Sequence, residues 1–191
     1  MSLYGGAELA NASRVVRKNT IQIAQDIPEE SYDFVPAPGT RSVSQLLRHI
    51  AFLPTMYYDM HRDKRLTTLK GYDFPGIIAR AAAEEQKPRS KTEILTLLND
   101  EGARFANWLE SLSPEFLTET FTDPMGQNPR TRLESLMAVK EHEMHHRGQL
   151  MLIERMLGIV PHLTRQREER ARQRPGASSQ VTVARATTSP V

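Results

Sequence analysis

Three of the six histidines in this chain lie within five residues of one another, in the segment EHEMHHRGQL at 141–150. His142 and His146 are four residues apart, so on a helix they stand above one another on the same face. Two imidazoles in that relation can bind one divalent ion with little side-chain rearrangement. The segment therefore predicts part of a metal site that needs a further ligand from elsewhere in the chain.

His49 is the candidate for that ligand. It lies in the middle of a second predicted helix, at the edge of an apolar stripe that contains Leu46 and Ile50. A histidine that faces an HxxxH pair on another helix makes a three-nitrogen site with open positions, as catalytic metal sites have. His145 is rotated by about 80° from the centre of the paired face, so we expect it beside the site.

Burial gives a second reason to single out His142 and His146. Both are in line with the apolar residues Val139, Leu150 and Ile153 on the predicted helix. Imidazoles that face an apolar core without partners cost about 1–3 kcal/mol each, and a shared metal removes that cost. The other two histidines, at 61 and 162, lack this context, and we expect them to be surface or hydrogen-bonded residues.

Composition limits the chemistry that the chain can supply. With 191 residues and no cysteine, it has the length of one domain and has no thiol nucleophile, disulfide or iron–sulfur ligand of its own. No apolar run approaches the roughly 20 residues of a membrane span, and the N-terminus lacks a signal-peptide pattern. We therefore expect a soluble, cytoplasmic protein without a membrane partner.

The formal net charge of +2 is unevenly distributed. From Arg165 onward, six arginines face only two glutamates, which leaves the preceding body slightly acidic. A basic tail of this kind is more typical of a solvated extension than of a nucleic-acid interface. Nucleic acid is therefore not the expected partner.

Four long amphipathic helices must position the histidines. Three of them begin with capping boxes, in which Ser or Thr is followed three residues later by Gln or Glu. The pairs are Ser42 with Gln45, Ser90 with Glu93, and Thr131 with Glu134. The first helix covers about 7–26, and the last continues to Leu157, where Gly158 ends it. Since no segment shows strand alternation, the sequence predicts an all-α four-helix bundle.

The segments between these helices are less regular. Pro54 cannot supply an N–H to the carbonyl of Ile50, so we expect a kink or break just after His49. The polar connection at 63–89 contains a short predicted helix near 75–85.

The chain changes character after Pro161, where large apolar residues become rare. This change predicts a bundle domain over 1–161 and a basic, largely disordered, flexible extension over 162–191. Within the extension we expect a frayed helical segment at 162–175 and disorder from about 176.

Two of these segments resemble the signatures of a known family. SVSQLLRHI at 42–50, preceded by the turn FVP at 34–36, and HEMHHRGQL at 142–150 resemble the two motifs of the DinB family. That superfamily includes YfiT-like proteins and mycothiol-dependent maleylpyruvate isomerases. The resemblance covers about 7–160 in the order and spacing of helices.

The resemblance implies an up-down-down-up four-helix bundle, commonly a homodimer, with a divalent metal on His49, His142 and His146. Zinc or nickel is the expected metal, with iron or manganese as alternatives. Characterised members are similar to S-transferases that use bacillithiol, mycothiol or glutathione. The implied partners are thus a small thiol and a small electrophile.

A mechanism follows from these ligands. A thiol that coordinates a metal loses its proton, and the resulting thiolate can attack an electrophilic carbon. Glu143 and Gln149 are the candidate catalytic residues, because they could orient ligand histidines or a bound water. Arg48 and Arg147 could bind a substrate carboxylate, although surface salt bridges are the favoured interpretation for both.

Other functions share the same residues. His142 to His146 also satisfies HExxH, with Glu143 as the general base of a zinc protease, but Gln149 and Leu152 stand where a metzincin has Gly and His. A di-iron site is excluded because it needs a second Glu-x-x-His motif. A hydrolase that uses metal-bound hydroxide and a non-catalytic metal-binding stress protein both remain open.

Overall fold

A computed structural model describes residues 4–173 of the chain, and within this range the protein forms seven α-helices and a short hairpin. The helices are α1 (Gly6–Asp26), α2 (Val43–Tyr57), α3 (Phe74–Gln86), α4 (Lys91–Glu110), α5 (Pro114–Thr118), α6 (Arg132–Met156) and α7 (His162–Arg172). The strands β1 (Thr120–Phe121) and β2 (Arg130–Thr131) pair antiparallel. The predicted all-α class is confirmed, and strands of two residues are too short to show alternation in the sequence.

The three predicted capping boxes are present and set the starts of α2, α4 and α6. In the first of them, the backbone N–H of Gln45 donates to Ser42 Oγ at 3.3 Å, and the N–H of Ser42 donates to Gln45 Oε1 at 3.0 Å. Each such cap contributes about 1 kcal/mol. The two helices that carry the candidate ligands are therefore placed by local sequence signals.

The directions of the four long helices follow from two apolar clusters at opposite ends of the bundle. One cluster joins the last turns of α1 and α6 to the first turns of α2 and α4, through Ile23, Ile153, Leu47 and Ile94. The other joins the opposite ends of these helices, through residues such as Leu9, Tyr57, Phe105 and Leu136. Hence α1 and α6 run one way and α2 and α4 the other, which confirms the up-down-down-up bundle.

Helix α3 fills the connection between α2 and α4 and packs along α2. It begins after Asp73, whose carboxylate accepts from the N–H of Gly76 at 2.9 Å. The short helix predicted near 75–85 is confirmed.

The predicted break after His49 does not occur. Helix α2 continues through Pro54 to Tyr57 and passes into a π-helical turn over Tyr58–Asp63. The carbonyl of Ile50, which loses its usual donor at Pro54, accepts instead from Arg17 Nη2 at 3.3 Å. An arginine from α1 thus replaces part of the lost hydrogen bonding.

Helix α7 shows that the C-terminal extension begins as a packed element rather than a frayed one. His162 is buried, with its Nε2 3.1 Å from Asn19 Oδ1 on α1. Arg165 Nη2 donates to Asp26 Oδ2 at 2.6 Å. The predicted disorder from about 176 lies outside the described residues.

Each helix in the described range 4–173 is either too short or too polar to cross a lipid bilayer.

Candidate metal centre

The structure brings the three predicted histidines together. His49 comes from α2, and His142 and His146 come from α6. The Nε2 atom of His142 lies 3.2 Å from Nε2 of His49 and 3.2 Å from Nε2 of His146. The candidate ligand atoms of all three lie within 4.8 Å of one another. Tetrahedral coordination with bonds of about 2.0–2.1 Å separates ligand nitrogens by about 3.3 Å, so the spacing suits a single ion.

In two of the three rings, the Nδ1 atom is hydrogen-bonded to an acceptor oxygen. His49 Nδ1 lies 2.5 Å from Glu85 Oε1, and His146 Nδ1 lies 2.7 Å from Gln149 Oε1. Because a carboxylate and an amide oxygen accept hydrogen bonds, both Nδ1 atoms carry the proton and both Nε2 atoms present lone pairs to the centre. Facing lone pairs repel one another unless a cation lies between them. The residues therefore fit a divalent metal.

Burial keeps the α6 histidines in the form that binds metal. Desolvation, followed by the proximity of His146 and His49, lowers the pKa of His142 to about 4. Desolvation also lowers the pKa of His146. Both rings are thus neutral at pH 7, and neutral imidazole is the ligating form.

Glu85 is the residue of the site that the sequence reading missed. It is buried on α3. Its Oε2 accepts from Arg41 Nε at 2.7 Å, and its Oε1 accepts from His49 Nδ1. Burial raises the pKa of Glu85, but hydrogen bonds from Arg41 and His49 outweigh burial, and the net pKa is lowered. The available signal was the four-residue spacing of Ile77, Ala81 and Glu85, which puts the carboxylate on the apolar face of α3.

Two cavities reach the histidines from different sides. The first, here called the α2–α3 cavity, has a volume of about 800 Å³ and is lined by His49 and by apolar residues of both helices. The second, the α6 cavity, has a volume of about 880 Å³ and is lined by His146, Gln149 and the loop before α2. Arg41 and Glu85 border both cavities. The centre thus has room for two small molecules.

A family model of the DinB superfamily matches residues 13–150, a range that includes the three histidines. The chain belongs to the DinB superfamily. The family predicted from the two motifs is therefore confirmed.

Two solved structures share the fold of this DinB-superfamily protein. YfiT from Bacillus subtilis, described as "a probable metal-dependent hydrolase with an unusual four-helix bundle topology", has 18% sequence identity and a TM-score of 0.65, over 83% of this chain and 91% of that one. The DinB-like protein YjoA from Bacillus subtilis has 21% identity and a TM-score of 0.59, over 79% and 92%. No curated protein matches the chain.

The role predicted for Glu143 is corrected by the position of its carboxylate. Arg17 donates to Oε1 at 2.9 Å and to Oε2 at 3.0 Å, and Thr20 Oγ1 donates to Oε1 at 2.8 Å. Residue 143 is turned by about 100° from His142, so it faces the bundle interior. Glu143 therefore orients α6 against α1 instead of a ligand histidine or a water. The carboxylate that an HExxH protease needs beside its metal is committed to Arg17.

Gln149 has the predicted position beside a ligand ring, whereas its catalytic role in this DinB-superfamily protein stays a prediction. Besides holding His146, Gln149 has its Nε2 3.2 Å from His145 Nε2. His145 is exposed and lies beside the triad, as its angular offset predicted. A short hydrogen-bonded chain thus connects the centre to solvent.

The surface salt bridge expected for Arg48 does not form among the described residues, and its substrate role stays a prediction. The Arg48 side chain is buried, because it lies between α2 and the loop before α4. Its Nη1 donates to the carbonyl of Lys87, and its Nη2 donates to Ser44 Oγ at 3.2 Å. Arg147 is half-buried and forms no ion pair with any described residue, so the expected salt bridge is absent there. A substrate role for Arg147 stays a prediction.

Proposed function

We propose that this DinB-superfamily protein is a metal-dependent S-transferase that joins a low-molecular-weight thiol to a small electrophile. The convergence of the three Nε2 atoms, with the lone pairs of His49 and His146 presented to one point, carries the proposal. Three histidine nitrogens suit zinc or nickel, with iron or manganese as alternatives. Two cavities beside the triad supply space for the two reactants.

The chain has no cysteine, so the sulfur nucleophile must come from the low-molecular-weight thiol. His49, His142 and His146 would hold a divalent ion, which when bound would lower the pKa of a coordinated thiol and make it nucleophilic at neutral pH. Glu85 and Gln149 hold the rings of His49 and His146 in ligating orientation. The half-buried setting of the triad limits competition from bulk water.

Elemental analysis of the purified protein, followed by thiol titration and turnover assays, tests the proposal. We expect a single divalent ion per chain and thiol-dependent consumption of an electrophile. His49→Ala should abolish both while the helical circular dichroism is retained. Glu141→Ala, which alters an exposed side chain on the same helix, is the control and should retain both. Equal rates with and without protein would contradict catalysis and leave a metal-binding bundle.

A hydrolase that uses metal-activated water is the second candidate. The description of YfiT as a probable metal-dependent hydrolase favours it, since YfiT shares the fold. Hydrolysis requires one organic substrate and no thiol. Turnover of ester or amide substrates by metal-loaded protein in thiol-free buffer, abolished by His49→Ala, would support the hydrolase over the transferase.

The homodimer and the cytoplasmic location that we expect from the sequence stay predictions. Light scattering of the purified full-length chain tests the first, and the mass of a monomer would contradict it.

A further inference from the structure

The α2–α3 cavity exists because an alanine occupies the middle of a helix face. Ile77, Ala81 and Glu85 stand four residues apart on the side of α3 that faces α2. Ile77 and Glu85 are buried at the two ends of this row. Ala81 has only a methyl group between them, so the two helices leave a groove that ends at His49. Small side chains on α3, with Ala81 at the centre of the row, thus keep the space open.

The walls of this cavity are mainly apolar. Phe52, Leu53 and Met56 line the α2 side, and Ile78 and Leu97 add further apolar surface. Charged side chains also border the cavity, among them the exposed Arg80. The two bordering glutamates have their charge already paired: Glu84 contacts Lys87 and Arg89, and Glu85 contacts Arg41 and His49. The interior therefore offers little to a strongly hydrated molecule. Its volume of about 800 Å³ is within the range of small-molecule sites.

The α6 cavity has a different chemistry. It has a larger polar share than the α2–α3 cavity, because hydroxyl and amide side chains stand beside apolar residues such as Leu152 and Met156. The polar side chains are those of Thr40, Gln45, Gln86 and Gln149. These groups can donate and accept hydrogen bonds to a hydrophilic ligand. The two cavities meet the triad through different ligands, His49 in one and His146 in the other.

We propose that the two cavities divide the two substrates between them. The α2–α3 cavity binds an apolar electrophile, with its reactive carbon at the His49 end, and the α6 cavity binds a hydrophilic thiol. Ala81 sets the size of the electrophile that can enter. This inference rests on the proposed transferase function and specifies its acceptor as an apolar, uncharged compound of aryl or short alkyl type.

The transfer is balanced without an oxidant or reductant. With 1-chloro-2,4-dinitrobenzene as acceptor, the sulfur of the thiol forms a bond to the ring carbon that carries chlorine. The carbon–chlorine bond then breaks, and chloride leaves with the bonding pair. The thiol proton passes to solvent.

The first arm of the test measures binding without turnover. Fluorescence of N-phenyl-1-naphthylamine, an uncharged apolar probe, is titrated with the full-length zinc-loaded protein. Ala81→Phe fills the groove and should weaken probe binding by about tenfold or more. Ala79→Phe places the same side chain at an exposed site on α3 outside the cavity, and should leave binding within about twofold. Ala81→Met replaces Ala81→Phe if circular dichroism shows that the latter does not fold.

The second arm follows the thiol. In cobalt-loaded protein, 2-mercaptoethanol should produce sulfur-to-metal charge-transfer absorption. Ala81→Phe should raise the KM for 1-chloro-2,4-dinitrobenzene and leave this thiol titration unchanged. Leu152→Trp, at the border of the α6 cavity, should weaken the thiol titration and leave probe binding unchanged.

The outcomes separate the two proposals. The assignment of the α2–α3 cavity would be overturned if Ala81→Phe left probe binding unchanged. It would also be overturned if Ala79→Phe weakened probe binding as much as Ala81→Phe does. A thiol titration that weakens in Ala81→Phe as much as probe binding does would overturn it as well. Absence of charge-transfer absorption in the wild-type cobalt protein would overturn the transferase instead, and the probe arm would still decide whether the apolar site exists.

Discussion

Two buried glutamates on α6 have opposite environments. Glu143, near the middle of the helix, is 4% exposed and accepts three hydrogen bonds from Arg17 and Thr20. Glu154, near the end of the same helix, is 0% exposed, and neither of its carboxylate oxygens has a hydrogen-bond partner within residues 4–173. Burial, with a contribution from Asp26, raises the pKa of Glu154 to about 7.

The comparison shows that burial alone does not decide whether a carboxylate contributes to stability. The hydrogen-bond donors that surround the carboxylate decide it. Arg17 also donates to the carbonyls of Leu98 and Ile50, at 2.9 and 3.3 Å, so this one guanidinium reaches α2, α4 and α6 from α1. Ile50 follows His49, and Glu143 follows His142. The network around Arg17 therefore holds the two ligand-bearing helices in register. Glu154 takes part in no such network among the described residues, and its burial lowers the stability of the fold.

Removal of Glu143 is the most direct way to break this network. Glu143→Ala leaves the Arg17 guanidinium buried without its counterion, and we expect a loss of about 3–5 kcal/mol in the free energy of unfolding. Urea denaturation measures it. Glu141→Ala, at an exposed position on the same helix, is the control and should change stability by less than about 0.5 kcal/mol. A loss below about 1 kcal/mol for Glu143→Ala would contradict the network.

Glu85 extends the comparison to a third buried glutamate, whose partner is a ligand histidine. Glu85→Ala should weaken metal affinity by about 10–100-fold, because His49 loses the acceptor that orients its ring. Competition with a chromogenic chelator measures the affinity. Glu84→Ala removes a neighbouring carboxylate that pairs with Lys87 and Arg89 instead, and should leave the metal affinity unchanged. Equal effects of the two variants would show that Glu85 acts only through the local charge.

Glu154 should make stability depend on pH. Its folded pKa of about 7 lies above the ordinary value of 4.5, so its protonated form favours folding and this contribution is lost as the pH rises from about 4.5 to about 7. Glu154→Gln should therefore be more stable than wild type by about 3 kcal/mol at pH 8 and nearly equal to it near pH 4.5, since a pKa change of one unit corresponds to about 1.4 kcal/mol. Thermal unfolding at both pH values measures the difference, with exposed Glu141→Gln as control. A variant that is less stable at pH 8 would reveal a partner for Glu154.

A pair of glycine substitutions tests how closely Arg17 is packed. A Cβ at Gly102 on α4 would lie 2.6 Å from Cγ of Arg17, whereas a Cβ at Gly148 on α6 would meet nothing within 4 Å. Gly148→Ala should stabilise the protein by about 0.5–1 kcal/mol through helix propensity. Gly102→Ala should destabilise it by about 1 kcal/mol, since the clash outweighs the same gain. Stabilisation by both variants in chemical denaturation would show that Arg17 can move aside.

The sequence alone determined the features that depend on local spacing. Ser42 with Gln45 and Thr131 with Glu134 place the starts of α2 and α6 because a capping box needs only residues three apart. The four-residue interval puts His142 and His146 on one face for the same reason. The position of His49 at the edge of an apolar stripe made it the candidate third ligand, and the resemblance to the DinB motifs implied the same residue.

Only the tertiary structure decided which polar groups meet across helices. Glu85 reaches His49 because α3 packs along α2, and Arg17 meets Glu143 because α1 lies against α6. Pro54 does not break α2, since a donor distant in the chain reaches the carbonyl it leaves free. Such pairings join residues far apart in sequence, so no periodicity records them. They depend on side-chain reach and on the space between helices, which exist only once the bundle is packed.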